Sequence, residues 1–232
     1  WIYLVSRGAM DMSFTELERV VDLGTQKDNR GPLELAVILP TYNERKNLRP
    51  MVERLHKALA GVAWEAIYVD DNSPDGTADE ARTIGLEDPR IRVIQRIGRR
   101  GLASAAIEGM LATSAPYVAV MDADLQHDPA LLPQMLGALT SGDYDLAYAS
   151  RFAEGASTEE WGRPDRVKAS GLANAIARKV TGVELTDPMS GYFMLPAATL
   201  RADAHRLSGV GFKILLDILA TVDTPLRVKE FP

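Results

Sequence analysis

Cysteine is absent from the 232 residues. Disulfides, zinc–thiolate sites and thiol nucleophiles are therefore excluded together. Histidine is scarce, with three residues, and aromatics make up 6%. No run of 18 apolar residues occurs, so no segment is long enough to span a bilayer as a helix. Neither G-x-x-x-x-G-K-[ST] nor G-x-G-x-x-G is present, which removes the ordinary NTPase and dinucleotide-binding loops. Positive charge is in deficit, at a net −6. A general nucleic-acid binder would be basic, so no nucleic-acid partner is expected, although net charge does not forbid a local basic patch. The chain opens on Trp1 and stops within "RVKEFP", which reads as a piece of a longer protein.

What is present is ordinary globular material, 46% hydrophobic and 25% charged, enough for one α/β domain with a core. Residues 1–34 are the least domain-like. "SFTELERVVDLG" reads as a short amphipathic helix with Ser13 as cap and Glu16 three residues later. Its polar face is acidic, which favours a tail or packed accessory helix over a membrane-surface one. From residue 35 to the end the chain reads as one domain. Apolar runs alternate with helical patterns: "LAVILP", "EAIYV", "IRVIQ", "YVAVM" and "DLAYAS" as strands, separated by helices over 43–61, 75–85, 102–114 and 129–142. Runs apolar on both faces belong to a covered parallel sheet, and the alternation predicts right-handed βαβ units. Further on, "VKASGLANAIARKVTG" and "GFKILLDILATV" read as helices, and "GYFML" and "LRVKEF" as strands.

Open parallel sheets bind ligands beyond the carboxyl ends of their strands. There this chain places Pro40-Thr41-Tyr42-Asn43-Glu44, then Asp70-Asp71-Asn72-Ser73-Pro74-Asp75-Gly76, then Asp122-Ala123-Asp124-Leu125-Gln126, then Ser150-Arg151. Each has a plainer reading as a turn or a cap. Their coincidence on one edge favours a site. Asp122 and Asp124, taken as strand residues two apart, would point the same way, with Gln126 extending the row. All-oxygen ligation suits Mg²⁺ or Mn²⁺. A metal-held diphosphate without a P-loop points to a sugar nucleotide. His127 and Asp128 read as the start of the next helix. Downstream, Arg166 and Ser170 share a helix face if helical. They form either a phosphate grip or part of a solvated basic face.

The strings "LPTYNERKNL", "VDDNSPDGTAD", "GRRGLASAAIEGM", "MDADLQHDPALLPQM", "SRFAEG" and "LTDPMSGYFML" together resemble the inverting family-2 glycosyltransferases of GT-A fold. The resemblance is strongest to the branch that acts on dolichyl or polyprenyl phosphate. It implies a mostly parallel α/β sheet flanked by helices, and metal-dependent transfer of a hexose, foremost mannose from GDP-mannose, to a polyprenyl phosphate. A UDP-sugar donor, or a non-catalytic sugar-nucleotide-binding homologue, remains an alternative. Position by position it implies Pro40, Tyr42, Glu44, Val69 and Asp71 for the nucleotide, and Asp122, Ala123, Asp124 and Arg151 for the sugar nucleotide. Asp122, Asp124 and Gln126 would surround the metal, and Asp122, Asp124 and Arg151 would be catalytic. Arg151, Arg166 and Ser170 would take the acceptor phosphate, with Asp187 and Ser190 nearby. It also implies a cytoplasmic protein, peripheral to the membrane surface that carries the acceptor or anchored there by segments outside this chain. Ala103 stands where the family often has glycine, and the family continues past "VKEFP" into a basic loop, so the domain is expected to be truncated at its C-terminus.

Overall fold

The computed structural model describes residues 32–150 and 185–232. The helices expected near Ser13 and around Arg166 and Ser170, and the loop expected after Ser150, lie outside them. Among the described residues seven strands form one sheet: β1 (Leu35–Thr41), β2 (Trp64–Asp70), β3 (Ile91–Gln95), β4 (Tyr117–Val120), β5 (Leu146–Ala149), β6 (Phe193–Pro196) and β7 (Val228–Phe231). Their spatial order is β3-β2-β1-β4-β6-β5-β7. β1, β2, β3 and β4 are mutually parallel. β6 runs antiparallel to both β4 and β5, and β5 pairs parallel with β7. The parallel βαβ reading thus holds for the first half, and "GYFML" departs from it as an inserted antiparallel strand.

The continuous apolar runs are explained by two cores, one on each face. Leu35, Val37 and Leu39 point to one side with Tyr68, Ala119 and Met121. Ala36 and Ile38 point to the other with Ile67, Val69, Val118 and Val120. Helices α1 (Leu48–Ala58), α2 (Thr77–Glu87) and α4 (Leu132–Thr140) cover the first face. Helices α3 (Leu102–Leu111), α5 (Ala197–Asp203) and α6 (Ile214–Thr221) cover the second. In α1 the buried Leu48, Met51, Val52 and Leu55 recur at helical spacing. The small-residue helix α3 lies close on the sheet, because a Cβ on Gly109 would collide with Ile38 and Val69.

Helix α2 corrects two expectations. It starts at Thr77 rather than at residue 75, with Gly76 at φ 83° as its cap. The helix also runs past Gly85 to Glu87. Helix α5 carries no cap signal that the sequence pattern could register; it begins directly on Pro196 at the end of β6.

Candidate functional site

Two loops after β1 and β2 are tied to each other by main-chain donors meeting side-chain oxygens. The Asn43 N–H donates to Ser73 Oγ at 2.9 Å, Glu44 N–H to Thr77 Oγ1 at 3.0 Å, and Arg45 N–H to Asp75 Oδ2 at 3.2 Å. Asp75 also accepts from the Thr77 amide and hydroxyl, at 3.0 and 2.6 Å. Asp70 is fully buried and accepts from the amide and hydroxyl of Ser73. Asn43 and Asn72 hold φ of 63° and 57°, a conformation asparagine tolerates better than most residues. Asp70, Ser73, Asp75 and Thr77 therefore build the edge rather than face a ligand.

Asp71 is held differently. Its Oδ2 accepts the Gly101 N–H at 2.7 Å, and its Oδ1 lies 3.1 Å from Arg96 Nη1. Arg96 is 1% exposed. It also donates to the Gly101 carbonyl at 3.0 Å and to Ser104 Oγ at 2.6 Å, and lies 3.3 Å from Glu108. A cation this buried needs such partners. Sequence reading missed it, since one arginine in "QRIGRRG" has no distinguishing period. Of the other expected nucleotide residues, Tyr42 is 44% exposed with the Arg100 guanidinium 4.6 Å from its ring. Such a pair is a ready stacking surface. Pro40 is partly buried at the end of β1. Glu44 accepts from the Asn47 side chain at 2.5 Å. The Val69 side chain is fully buried in the second core, so only its backbone could meet a ligand. Ala123 is likewise buried.

The acidic row corrects the strand argument. β4 ends at Val120, and the last sheet bond beyond it is the Met121 N–H to the Ile38 carbonyl, 3.1 Å. Asp122 and Asp124 stand in a loop whose shape comes from side chains. Asp124 Oδ1 accepts the Gln126 N–H at 3.0 Å, Leu125 sits at φ 69°, and Arg54 donates to the Leu125 carbonyl at 2.9 Å. The Asp122 N–H donates to Nδ1 of His127 at 3.1 Å. His127 thus folds back on the acidic loop instead of starting the helix. Asp128 does start it, accepting the Ala130 N–H at 3.0 Å. The Asp122 side chain is 41% exposed, and Gln126 is exposed.

The "DPMSG" segment closes on the same loop. A Cβ at Gly191 would come within 3.0 Å of Asp122 Oδ2. Ser190 and Asp187 are buried, and Ser190 Oγ donates to the Ala149 carbonyl at 2.6 Å. Beside them Tyr148 donates to Glu230 at 2.8 Å and accepts the Thr186 N–H at 3.1 Å, while Thr186 and Ser150 meet at 2.5 Å. Burial is the main reason that the Tyr148 hydroxyl is pushed up to about 12. Arg151, Arg166 and Ser170 lie outside the described residues.

Among the described residues no three His, Asp or Glu side chains could hold a metal by themselves. Two carboxylates on one loop nevertheless fit a hard cation that takes its remaining oxygens from a substrate. Among those residues no helix is long and apolar enough to cross a membrane.

A sheet ordered in this way, with an acidic loop after β4 and an antiparallel β6 closing beside it, defines a GT-A nucleotide-diphospho-sugar transferase fold. A crystal structure of glucosyl-3-phosphoglycerate synthase from Mycobacterium tuberculosis, in complex with Mn²⁺, UDP-glucose and phosphoglyceric acid, shares it. The TM-score is 0.60 at 22% identity, over 85% of this chain and 69% of that one. The family model "Glycosyl transferase family 2" matches residues 36–202, and the chain belongs to that family. Dolichol-phosphate mannosyltransferase of Pyrococcus furiosus is 37% identical over 190 residues, 81% of this chain and 52% of the relative. Polyprenol monophosphomannose synthase of Mycolicibacterium smegmatis is 39% identical over 202 residues, 84% of this chain and 75% of the relative. The chain thus spans about half the length of the Pyrococcus relative.

Proposed function

We propose that this chain carries the donor-binding and catalytic part of a polyprenyl-phosphate mannosyltransferase. It would move mannose from GDP-mannose to a dolichyl or other polyprenyl phosphate, with inversion at the anomeric carbon. The carrying observation is the convergence of Tyr42, Glu44, Asp122 and Asp124 on one sheet edge of a chain this similar to the dolichol- and polyprenol-dependent relatives.

The residues supply positioning more than proton transfer. Tyr42, backed by Arg100, offers a flat surface to the base. Glu44 stands two residues on in the same loop, its N–H tied to Thr77 Oγ1. Asp122, Asp124 and Gln126 would hold Mg²⁺ or Mn²⁺, which supplies Lewis-acid stabilisation to the departing diphosphate. Arg151, Arg166 and Ser170 would grip the acceptor phosphate. That phosphate is already an anion near neutral pH, so its oxygen forms the new bond to the anomeric carbon without a general base. The bond to the GDP oxygen breaks on the opposite face. Catalysis then rests on orientation and on charge held where it develops. The lipid acceptor would keep the protein at the cytoplasmic surface of a membrane.

Radiolabelled GDP-mannose, UDP-glucose and UDP-GlcNAc, offered with a short polyprenyl phosphate with and without Mn²⁺, test this reading. Label should enter lipid from GDP-mannose and require the metal. Transfer from a UDP-sugar alone overturns the donor assignment.

A further inference from the structure

We propose that His127 is a positioning residue whose Nδ1 fixes the Asp122 peptide and thereby aims the Asp122 carboxylate. The inference rests on reading the acidic loop as the metal and diphosphate site. It starts from a main-chain donor that has left the sheet: beyond Met121 the ladder has ended, and a buried or half-buried N–H needs a partner. The Asp122 N–H finds it in His127 Nδ1, 3.1 Å away and five residues on. Accepting there requires a lone pair on Nδ1, so the neutral ring carries its proton on Nε2. That Nε2 lies 3.9 Å from Asp122 Oδ2. One ring therefore faces both the amide and the carboxylate of the same aspartate.

The ring is not at liberty to turn away. It stacks on Tyr192 with centroids 5.0 Å apart and planes 21° from parallel. Tyr192 is 1% exposed, and its hydroxyl donates to the Asp128 carbonyl at 3.0 Å. From another direction the Gly191 backbone comes so near the carboxylate that an added methyl group would stand 3.0 Å from Asp122 Oδ2. Asp122 is bounded by His127 and Gly191, and both belong to segments tied through Tyr192. Partners that orient a metal-ligating group are worth roughly 10- to 100-fold in metal affinity.

Two substitutions separate orientation from bulk. His127→Phe keeps a ring against Tyr192 and removes the acceptor. His127→Asn places Oδ1 where Nδ1 stands. Mn²⁺ affinity in the presence of GDP is read from the resonance of free Mn²⁺, and Asp122 amide exchange is read in metal-free protein, with thermal melts to verify folding. His127→Leu serves as a second acceptor-free variant should the Phe protein fail to fold. His127→Phe should weaken Mn²⁺ by about tenfold or more and speed exchange of the Asp122 amide. His127→Asn should stay within about threefold of wild type, as the retained acceptor requires. Wild-type affinity in a folded acceptor-free variant, or equal losses in the Asn and Phe proteins, overturns the proposal. A wild-type protein that binds no Mn²⁺ overturns the metal reading and takes this inference with it. Unchanged amide exchange in His127→Phe overturns the inference alone.

Discussion

Nη1 of Arg96 lies 3.1 Å from Oδ1 of Asp71, on a guanidinium that is 1% exposed. Neither Asp71 Oδ1 nor Arg96 Nε has an aligned hydrogen bond, so the pair is held by charge and by the neighbours Gly101 and Ser104. Removing one member of a buried pair leaves the other uncompensated, at a cost of about 3–5 kcal/mol. Arg96→Met should lose that much in urea unfolding, and Arg96→Met with Asp71→Leu should recover a large part of it. A single mutant within about 1 kcal/mol of wild type would show that the pair is not structural.

One of the ties between the loops after β1 and β2 runs through Asp75. Burial acts to raise its carboxyl, but the Thr77 hydroxyl and the Arg45 and Thr77 amides outweigh it, and the pKa is lowered. The bonds to this carboxylate are therefore fully present above the unfolded-state pKa and are lost as pH falls through the lower folded value. A ¹³C titration should find Asp75 titrating below the usual aspartate range, and a midpoint at or above that range contradicts the arrangement. Asp75→Ala should weaken GDP binding by about 5- to 30-fold, the worth of one or two hydrogen bonds, with the melting temperature falling modestly.

Helix α3 tolerates no side chain at Gly109. Gly109→Ala would push a methyl into Ile38 and Val69 and should cost about 1–3 kcal/mol despite the better helix propensity of alanine. Denaturant unfolding measures it. A neutral or stabilising result would mean that α3 can move off the sheet.

The described strands of the sheet were visible in the sequence because doubly covered strands leave long apolar runs, as in "LAVILP". The same runs carry no record of direction, so the antiparallel β6 was not legible in "GYFML". That the acidic residues gather just beyond the strand at Val120 was legible, whereas their geometry was not. Strand alternation was the wrong cause, since the loop after Val120 is shaped by His127, Arg54 and the Asp124 side chain. His127 looked like a helix start because the histidine–amide contact spans five residues and has no period to betray it. Asp70, Asp71 and Asp75 read alike as a ligand-facing acidic turn. Burial and partners divide them, with Asp70 and Asp75 bracing loops and Asp71 neutralising Arg96.

The central claim is that the Asp122 loop bridges a divalent cation to a nucleotide diphosphate. The most direct test is calorimetric GDP binding to wild type and to Asp122→Ala, each with and without Mn²⁺. The account predicts that Mn²⁺ tightens GDP by about tenfold or more in wild type, as a shared phosphate ligand requires, and has no effect in Asp122→Ala, whose metal-free affinity and melting temperature stay close to wild type. An equal Mn²⁺ effect in both proteins would contradict it.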